Sequence, residues 1–249
     1  MRKYIVILVI ATLLVGFKGE EGFLTDQLRY ARVKKAFEER EMEVRTKLGL
    51  AGLNADRYDL YIRAFKTEGT LEVWGKHKHE RVYRLIDNYA YCSNVGTVGP
   101  KRQQGDLQIP EGFYHLSKFN PESNYHLSLK VSYPNKSDSM LSQHADLGGQ
   151  IFIHGGCLTV GCIPITDFFI EELYIMAVLA RQSGQNEIPI HIFPSRMNYS
   201  NYRKLMNEAP NLEMQTFWTN LKPVYQHFEE TGQLYNININ HQGRYLFTE

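Results

Sequence analysis

The sequence predicts an α+β fold in which a mixed β-sheet is flanked by helices at both ends of the chain. Three observations lead there. Short β-forming segments recur between residues 58 and 195, helix-forming stretches lie on either side of them, and no Pro/Gly/Ser-rich linker or internal repeat divides the 249 residues. Hydrophobic residues make up 43% of the chain and aromatics 12%, which is enough apolar material for a substantial core.

Thr25 to Leu48 is rich in helix formers, places Val33, Phe37, Val44 and Leu48 at loosely helical spacing, and stops at Gly49. It reads as a packing helix whose many charges face solvent. Leu60, Ile62 and Ala64 alternate, Glu68-Gly69 can turn the chain, and Leu71 with Val73 alternates again. Val82 to Tyr91, Phe113 to Leu116, His126 to Tyr133 and Ile151 to Ile153 continue the β series. Thr166 or Asp167 can cap a helix running through Phe169, Leu173, Met176 and Leu179 to about Gln182, ahead of Gly184. Ile188 to Phe193 is a further strand ended by Pro194, and Leu212 to Glu230 reads as helix followed by a tyrosine-containing terminal strand.

The N-terminus indicates where the protein works. Arg2 and Lys3 precede an apolar run from Tyr4 to Val15, the pattern of a secretory signal, and the run falls short of the ~20 residues that span a bilayer. Residues 1–19 are therefore expected to be a signal peptide. An uncleaved anchor is the alternative, because Val15-Gly16-Phe17-Lys18 lacks an Ala-x-Ala cleavage signal. No cysteine near that junction supports a lipoprotein anchor. A helical segment at 20–57, a strand-rich domain at 58–195 and a C-terminal helical extension at 196–249 complete the expected organisation. The net charge of +1 provides no long-range attraction to nucleic acid, so no nucleic-acid partner is expected.

The chemistry is concentrated in Ile151 to Asp167, IFIHGGCLTVGCIPITD. Ile151, Phe152 and Ile153 form a strand that delivers His154 at its end, and the glycine-rich segment beyond presents Cys162. A thiol attacks as its thiolate, and a neighbouring imidazole can take the proton, so His154 and Cys162 can act as base and nucleophile. Backbone N–H groups of Gly161 and Cys162 can hold an oxyanion, each worth roughly 3 kcal/mol of barrier. Thr159, three residues before Cys162, can hydrogen-bond locally.

Plainer readings stand beside this one. Cys92, with no partner pattern around it, reads as a small buried hydrophobe. Cys157 can pair with Cys162 in a disulfide, which would silence the nucleophile, or be a buried thiol. His154, Cys157 and Cys162 supply three zinc donors, but a structural site wants four and no fourth is evident, so no metal or other cofactor is expected. Three cysteines in an exported chain leave at least one thiol free or paired with another molecule. His115, His126 and His144 lie between the upstream segments and the cysteine loop; a plain polar role is favoured for each, with His126 the best secondary candidate. Tyr114 can face the core or a substrate, the core being favoured.

His154 together with Thr159-Val160-Gly161-Cys162 resembles the L,D-transpeptidase family with the YkuD-type catalytic domain. The duplicated cysteine and short spacing are most similar to its YafK-like branch. The resemblance continues through Gly96, Gly99-Pro100-Lys101, Gly105-Asp106, Pro110-Glu111-Gly112-Phe113-Tyr114, Tyr125-His126-Leu127-Ser128 and Tyr133-Pro134-Asn135. It covers roughly residues 58 to 195, and it implies a mixed β-sheet, β-sandwich-like catalytic core in the bacterial envelope, in the periplasm.

The resemblance also implies roles. Cys162 is the nucleophile, His154 the general base, Gly155 orients the imidazole, and Gly161 offers an oxyanion N–H, with His126, Thr159 and Tyr114 lining the substrate site. Peptidoglycan stem peptides are the implied partners: Cys162 forms a thioester and passes it to an amine. Where the wider family often has a second histidine and a carboxylate-binding arginine, this chain has Val160 and Pro164, which brings in water as an alternative acceptor. The protein would then be a peptidoglycan hydrolase or amidase, such as one detaching a linked lipoprotein. A non-catalytic peptidoglycan-binding protein is the competing class. Membrane contact is expected only if the leader stays in place.

Overall fold

A computed structural model describes residues 22–93 and 96–248, so the expected signal peptide lies outside the described residues. The elements, in chain order, are α1 (Phe23–Leu28), α2 (Ala31–Leu50), β1 (Tyr58–Phe65), β2 (Thr70–His77), β3 (Arg84–Ala90), β4 (Gly112–Ser123), β5 (His126–Val131), α3 (Lys136–Leu141), β6 (Phe152–His154), β7 (Ile163–Pro164), α4 (Thr166–Gln182), β8 (Pro189–Phe193), α5 (Tyr199–Glu208), α6 (Leu212–Thr231), β9 (Asn236–Ile239) and β10 (Tyr245–Thr248). The predicted α+β class with a mixed sheet is what the chain adopts. Among the described residues no helix is long and apolar enough to cross a membrane.

Eight strands form one curled sheet in the order β3-β2-β1-β8-β4-β5-β6-β7. The β1/β8 and β6/β7 pairs are parallel and the others antiparallel. The two ends of that order meet: just past β3, the Cys92 N–H donates to the Pro164 carbonyl of β7 at 3.0 Å, and Cys92 is disulfide-bonded to Cys157. The isolated buried thiol expected at Cys92 is thus corrected to a cystine. Its partner lies 65 residues away in sequence, out of reach of any local pattern. Closing a loop of that length restricts the unfolded chain by about 4 kcal/mol in the chain-entropy account.

β1 is buried on both faces, which explains why its alternation of Leu60, Ile62 and Ala64 is only half its pattern. Those three residues join Val33, Val44 and Leu48 of α2 and Leu173 to Ala180 of α4 in the main core. On the opposite face, Phe65 packs with Phe193, Phe217, Trp218, Leu221 and Tyr225, so α6 covers the second side of the sheet. Buried Arg63 is held there by Glu72 and Glu229, each at 2.7 Å, with its guanidinium 4.5 Å from the Phe228 ring centroid. α4 buries eleven of its seventeen residues, at roughly 1.5 to 3 kcal/mol for each large apolar side chain. It is a central support for the neighbouring loop.

Several element bounds differ from expectation. The N-terminal helix is interrupted where Tyr30 takes extended backbone angles and starts α2. β4 continues past Leu116 to Ser123, because its outer half pairs with β5 through irregular register. The terminal strand is one arm of a β9/β10 hairpin. α3 and α5 were not expected: α3 has only six residues, too few to show a period, and is set by a capping box between Asn135 and Asp138.

Candidate active site

β6 and β7 run side by side with Ile153 opposite Ile163 and His154 opposite Pro164. Cys162 comes immediately before β7, and its sulfur lies beside the Phe152 N–H, at the start of the strand that ends in His154. Between them in sequence runs the loop Gly155 to Gly161.

The His154 ring is 2% exposed, and its Nδ1 lies 2.6 Å from the Gly155 carbonyl oxygen. A carbonyl can only accept, so Nδ1 carries the proton and Nε2 presents its lone pair. Burial holds the imidazole below its ordinary pKa, with the Gly155 bond acting the other way, which keeps His154 a neutral base. The Tyr125 ring lies over it, with centroids 4.6 Å apart. Gly155 is required here: a Cβ would sit 2.4 Å from Asp167 Oδ1 and 2.9 Å from the Tyr125 carbonyl oxygen. Asp167 Oδ1 also accepts the Gly156 N–H at 2.8 Å, so this carboxylate fastens the loop and does not cap α4.

Cys162 is the free cysteine of the described residues. Its thiol donates to the Gln150 carbonyl at 3.4 Å. Burial pushes the thiol pKa up, opposed by the Phe152 N–H and the positive charge of Lys101. Burial thus favours the neutral thiol as it favours the neutral imidazole, and among the described residues no hydrogen bond joins the two. Thr159 Oγ1 accepts the Cys162 N–H and donates to the Cys162 carbonyl oxygen, both at 3.0 Å. Thr159 is thus a loop fastener, and the Cys162 N–H is engaged. The Gly161 N–H has no partner among the described residues; Gly161 has a positive φ (87°), and a Cβ there would sit 3.0 Å from the Gln108 carbonyl oxygen.

The remaining expected residues fall elsewhere. Tyr114 is buried, its hydroxyl donating to Asp138 Oδ2 at 3.0 Å and lying 3.1 Å from the Glu111 carbonyl oxygen. Burial pushes Asp138 up to about 6 even though Arg102 pairs with it at 2.8 Å. His126 lies 2.8 Å from Glu171 of α4, and its carbonyl accepts from Arg32, so it ties β5 to two helices. His115 N–H donates to Ser132 Oγ, and His144 is exposed. The disulfide removes Cys157 from both the Cys157–Cys162 pairing and the zinc reading.

Tyr125, Lys101 and Gln150 were not given roles by the sequence, and Asp167 was read only as a possible helix cap. Tyr125 and Lys101 lie in the segments that carry the family resemblance, which was the available signal. A cavity of about 450 Å³ lined by Arg102, Leu141, Met214 and Phe217 does not reach His154 or Cys162.

A curated protein of Escherichia coli K12, "Putative L,D-transpeptidase YafK", is 30% identical over 251 residues, covering 100% of this chain and 92% of the relative. The chain belongs to the L,D-transpeptidase family. The same relative from Escherichia coli O157:H7 matches equally. No protein-family model matches. Among solved structures, the helical cell shape determining protein Pgp2 (K307A mutant) of Campylobacter jejuni is 23% identical at a TM-score of 0.44, covering 61% of this chain and 55% of that one. L,D-transpeptidase 1 of Mycobacterium tuberculosis is 14% identical at a TM-score of 0.31, covering 55% and 62%. Family membership rests on the full-length relative.

Proposed function

We propose that this L,D-transpeptidase family member is an exported cysteine acyl-transfer enzyme of the bacterial envelope, acting in the periplasm on peptidoglycan stem peptides. The observation that supports it most is that His154 ends β6 while Cys162 immediately precedes β7, the parallel strand beside it, with Nε2 unprotonated and a thiol free. Cys162 sulfur attacks a stem-peptide carbonyl carbon as its proton passes to His154 Nε2. The oxyanion faces the Gly161 N–H. Collapse breaks the C–N bond, His154 returns the proton to the departing amine, and a thioester remains. An acceptor amine then attacks the thioester, loses its proton to His154, and the thiol is restored.

Water as acceptor is the second reading, which makes the protein a hydrolase such as one that detaches a linked lipoprotein. Pro164 favours it: it is buried in β7 and offers no guanidinium for an acyl-donor carboxylate where the wider family often has arginine. Mass spectrometry of the leaderless protein incubated with defined peptidoglycan fragments distinguishes these. New dimeric stems mean amine transfer, and released fragments without cross-links mean hydrolysis. Absence of both, with stem peptides still bound, would favour a non-catalytic binding protein.

A further inference from the structure

The loop that presents Cys162 is poorly held by burial. Leu158 and Val160 at its tip expose 79% and 71% of their surface, and Gly155, Gly156 and Gly161 leave the backbone free to turn. Its fastenings are polar and local: Gly155 N–H to the Leu127 carbonyl at 3.2 Å, Gly156 N–H to Asp167, and the Thr159–Cys162 pair. Cys92 differs from these. Its sulfur is bonded to Cys157, five residues before the nucleophile, and its N–H donates to Pro164, two residues after it. One residue from the opposite edge of the sheet therefore grips both ends of Cys157–Pro164.

We propose that Cys92 and Cys157 are positioning residues whose disulfide sets the presentation of the Cys162 sulfur toward His154. The proposal rests on the reading of Cys162 as nucleophile. With the disulfide intact, the loop start cannot drift from β7, and the sulfur keeps its place beside the Phe152 N–H and His154. With it broken, the Cys157 end swings on Gly155 and Gly156, and only the Thr159 link holds the nucleophile. An oxidising compartment keeps the pair closed and leaves Cys162 as the odd thiol.

The test compares the full exported chain with the Cys92→Ser/Cys157→Ser double variant, and with wild type reduced by dithiothreitol, which takes up the disulfide's oxidising equivalents as it forms its own ring disulfide. Three readouts are followed: iodoacetamide alkylation of Cys162 against pH, turnover of defined peptidoglycan fragments, and circular dichroism. The expected result is a displaced alkylation profile and a kcat at least tenfold lower, with KM within threefold and native dichroism retained. An alkylation profile matching wild type overturns the proposal, as does a double variant turning over within twofold of wild type. Loss of native dichroism in both the double variant and the reduced protein also overturns it, because the disulfide would then hold the whole fold. If wild type turns over no fragment while Cys162 alkylation still depends on the disulfide, the positioning role stands and the acyl-transfer reading falls.

Discussion

The Thr159 hydroxyl closes a two-way link with Cys162, accepting its N–H and donating to its carbonyl oxygen, both at 3.0 Å. A single side chain three residues upstream thereby fixes the peptide groups on both sides of Cys162. Thr159→Val preserves shape and removes both bonds. A displacement of about 1 Å at a reacting atom can cost on the order of 100-fold in rate, so Thr159→Val should lower kcat by about 10- to 100-fold. Thr159→Ser should stay near wild type. Equal turnover of the valine and serine variants would show that the link does not place the sulfur.

Removing the proposed nucleophile itself should be more severe and structurally mild. Cys162→Ala deletes one sulfur atom from a half-buried site, so turnover of peptidoglycan fragments should vanish while the thermal melt stays within a few degrees of wild type. Wild-type turnover by this variant would end the thiol mechanism.

Gly155 and Gly49 make a paired test of backbone crowding. A Cβ at Gly155 would meet Asp167 Oδ1 at 2.4 Å and the Tyr125 carbonyl at 2.9 Å, and the second of these is backbone that cannot swing away. Gly155→Ala should cost about 1 to 3 kcal/mol and reduce turnover, since the same peptide carries the carbonyl that fixes the His154 tautomer. Gly49 sits inside α2 with nothing within 4 Å of its Cβ position. Gly49→Ala should instead stabilise by roughly 0.5 to 1 kcal/mol through helix propensity. Denaturant melts of the two variants check opposite signs in one experiment.

What the sequence revealed, and what it concealed, follows from the range of each interaction. His154 and Cys162 lie eight residues apart, at the end of one strand and just before the next, so chain-local reasoning and the family resemblance both reach them. The α4 span from Thr166 to Gln182 was legible for the same reason, because its apolar period is continuous. Cys92 was not: its partner is a loop residue brought near only when the two outermost strands of the sheet meet. Thr159 was read as a local hydrogen-bonder, which its bonds show, while the occupation of the Cys162 N–H depends on loop angles that sequence does not encode. The second face of β1 was hidden because Tyr61, Arg63 and Phe65 are buried by α6, whose Glu229 pairs with Arg63 from 166 residues downstream in the chain.

Lys66 gives a test of the loop that carries Lys101. Its Nζ, 4% exposed with its side chain, donates to the Gly99 carbonyl at 2.6 Å, the Ile109 carbonyl at 2.9 Å and Glu111 Oε1 at 3.0 Å. Both ends of the segment from Gly99 to Glu111 are gathered on one ammonium group. Burial lowers the Lys66 pKa, and Glu111 opposes that shift. Lys66→Met leaves Glu111 buried beside only neutral donors, Trp218 Nε1 and the Gly99 N–H, and should destabilise by about 3 to 5 kcal/mol. A Lys66→Met protein as stable as wild type in urea would mean that the loop base is held by packing alone.

The neutral resting state of the site predicts a distinctive pH dependence. A thiolate–imidazolium pair reacts with iodoacetamide at a rate that levels off on the acid side, because the charged pair persists there. Here burial raises the Cys162 pKa and lowers that of His154, so thiolate accumulates only as pH climbs toward and past the ordinary thiol value. Alkylation of Cys162 should therefore rise about tenfold per pH unit through the neutral range, with no acid plateau. Turnover should behave differently on its acid side. It needs the His154 lone pair, and the lowered pKa keeps that lone pair available below the ordinary imidazole value, so kcat/KM should decline only at more acid pH. Lys101→Met removes the positive charge that favours the thiolate, and should slow alkylation at a fixed mildly alkaline pH. A flat acid plateau in the wild-type alkylation profile would contradict the neutral pair and restore the standing thiolate.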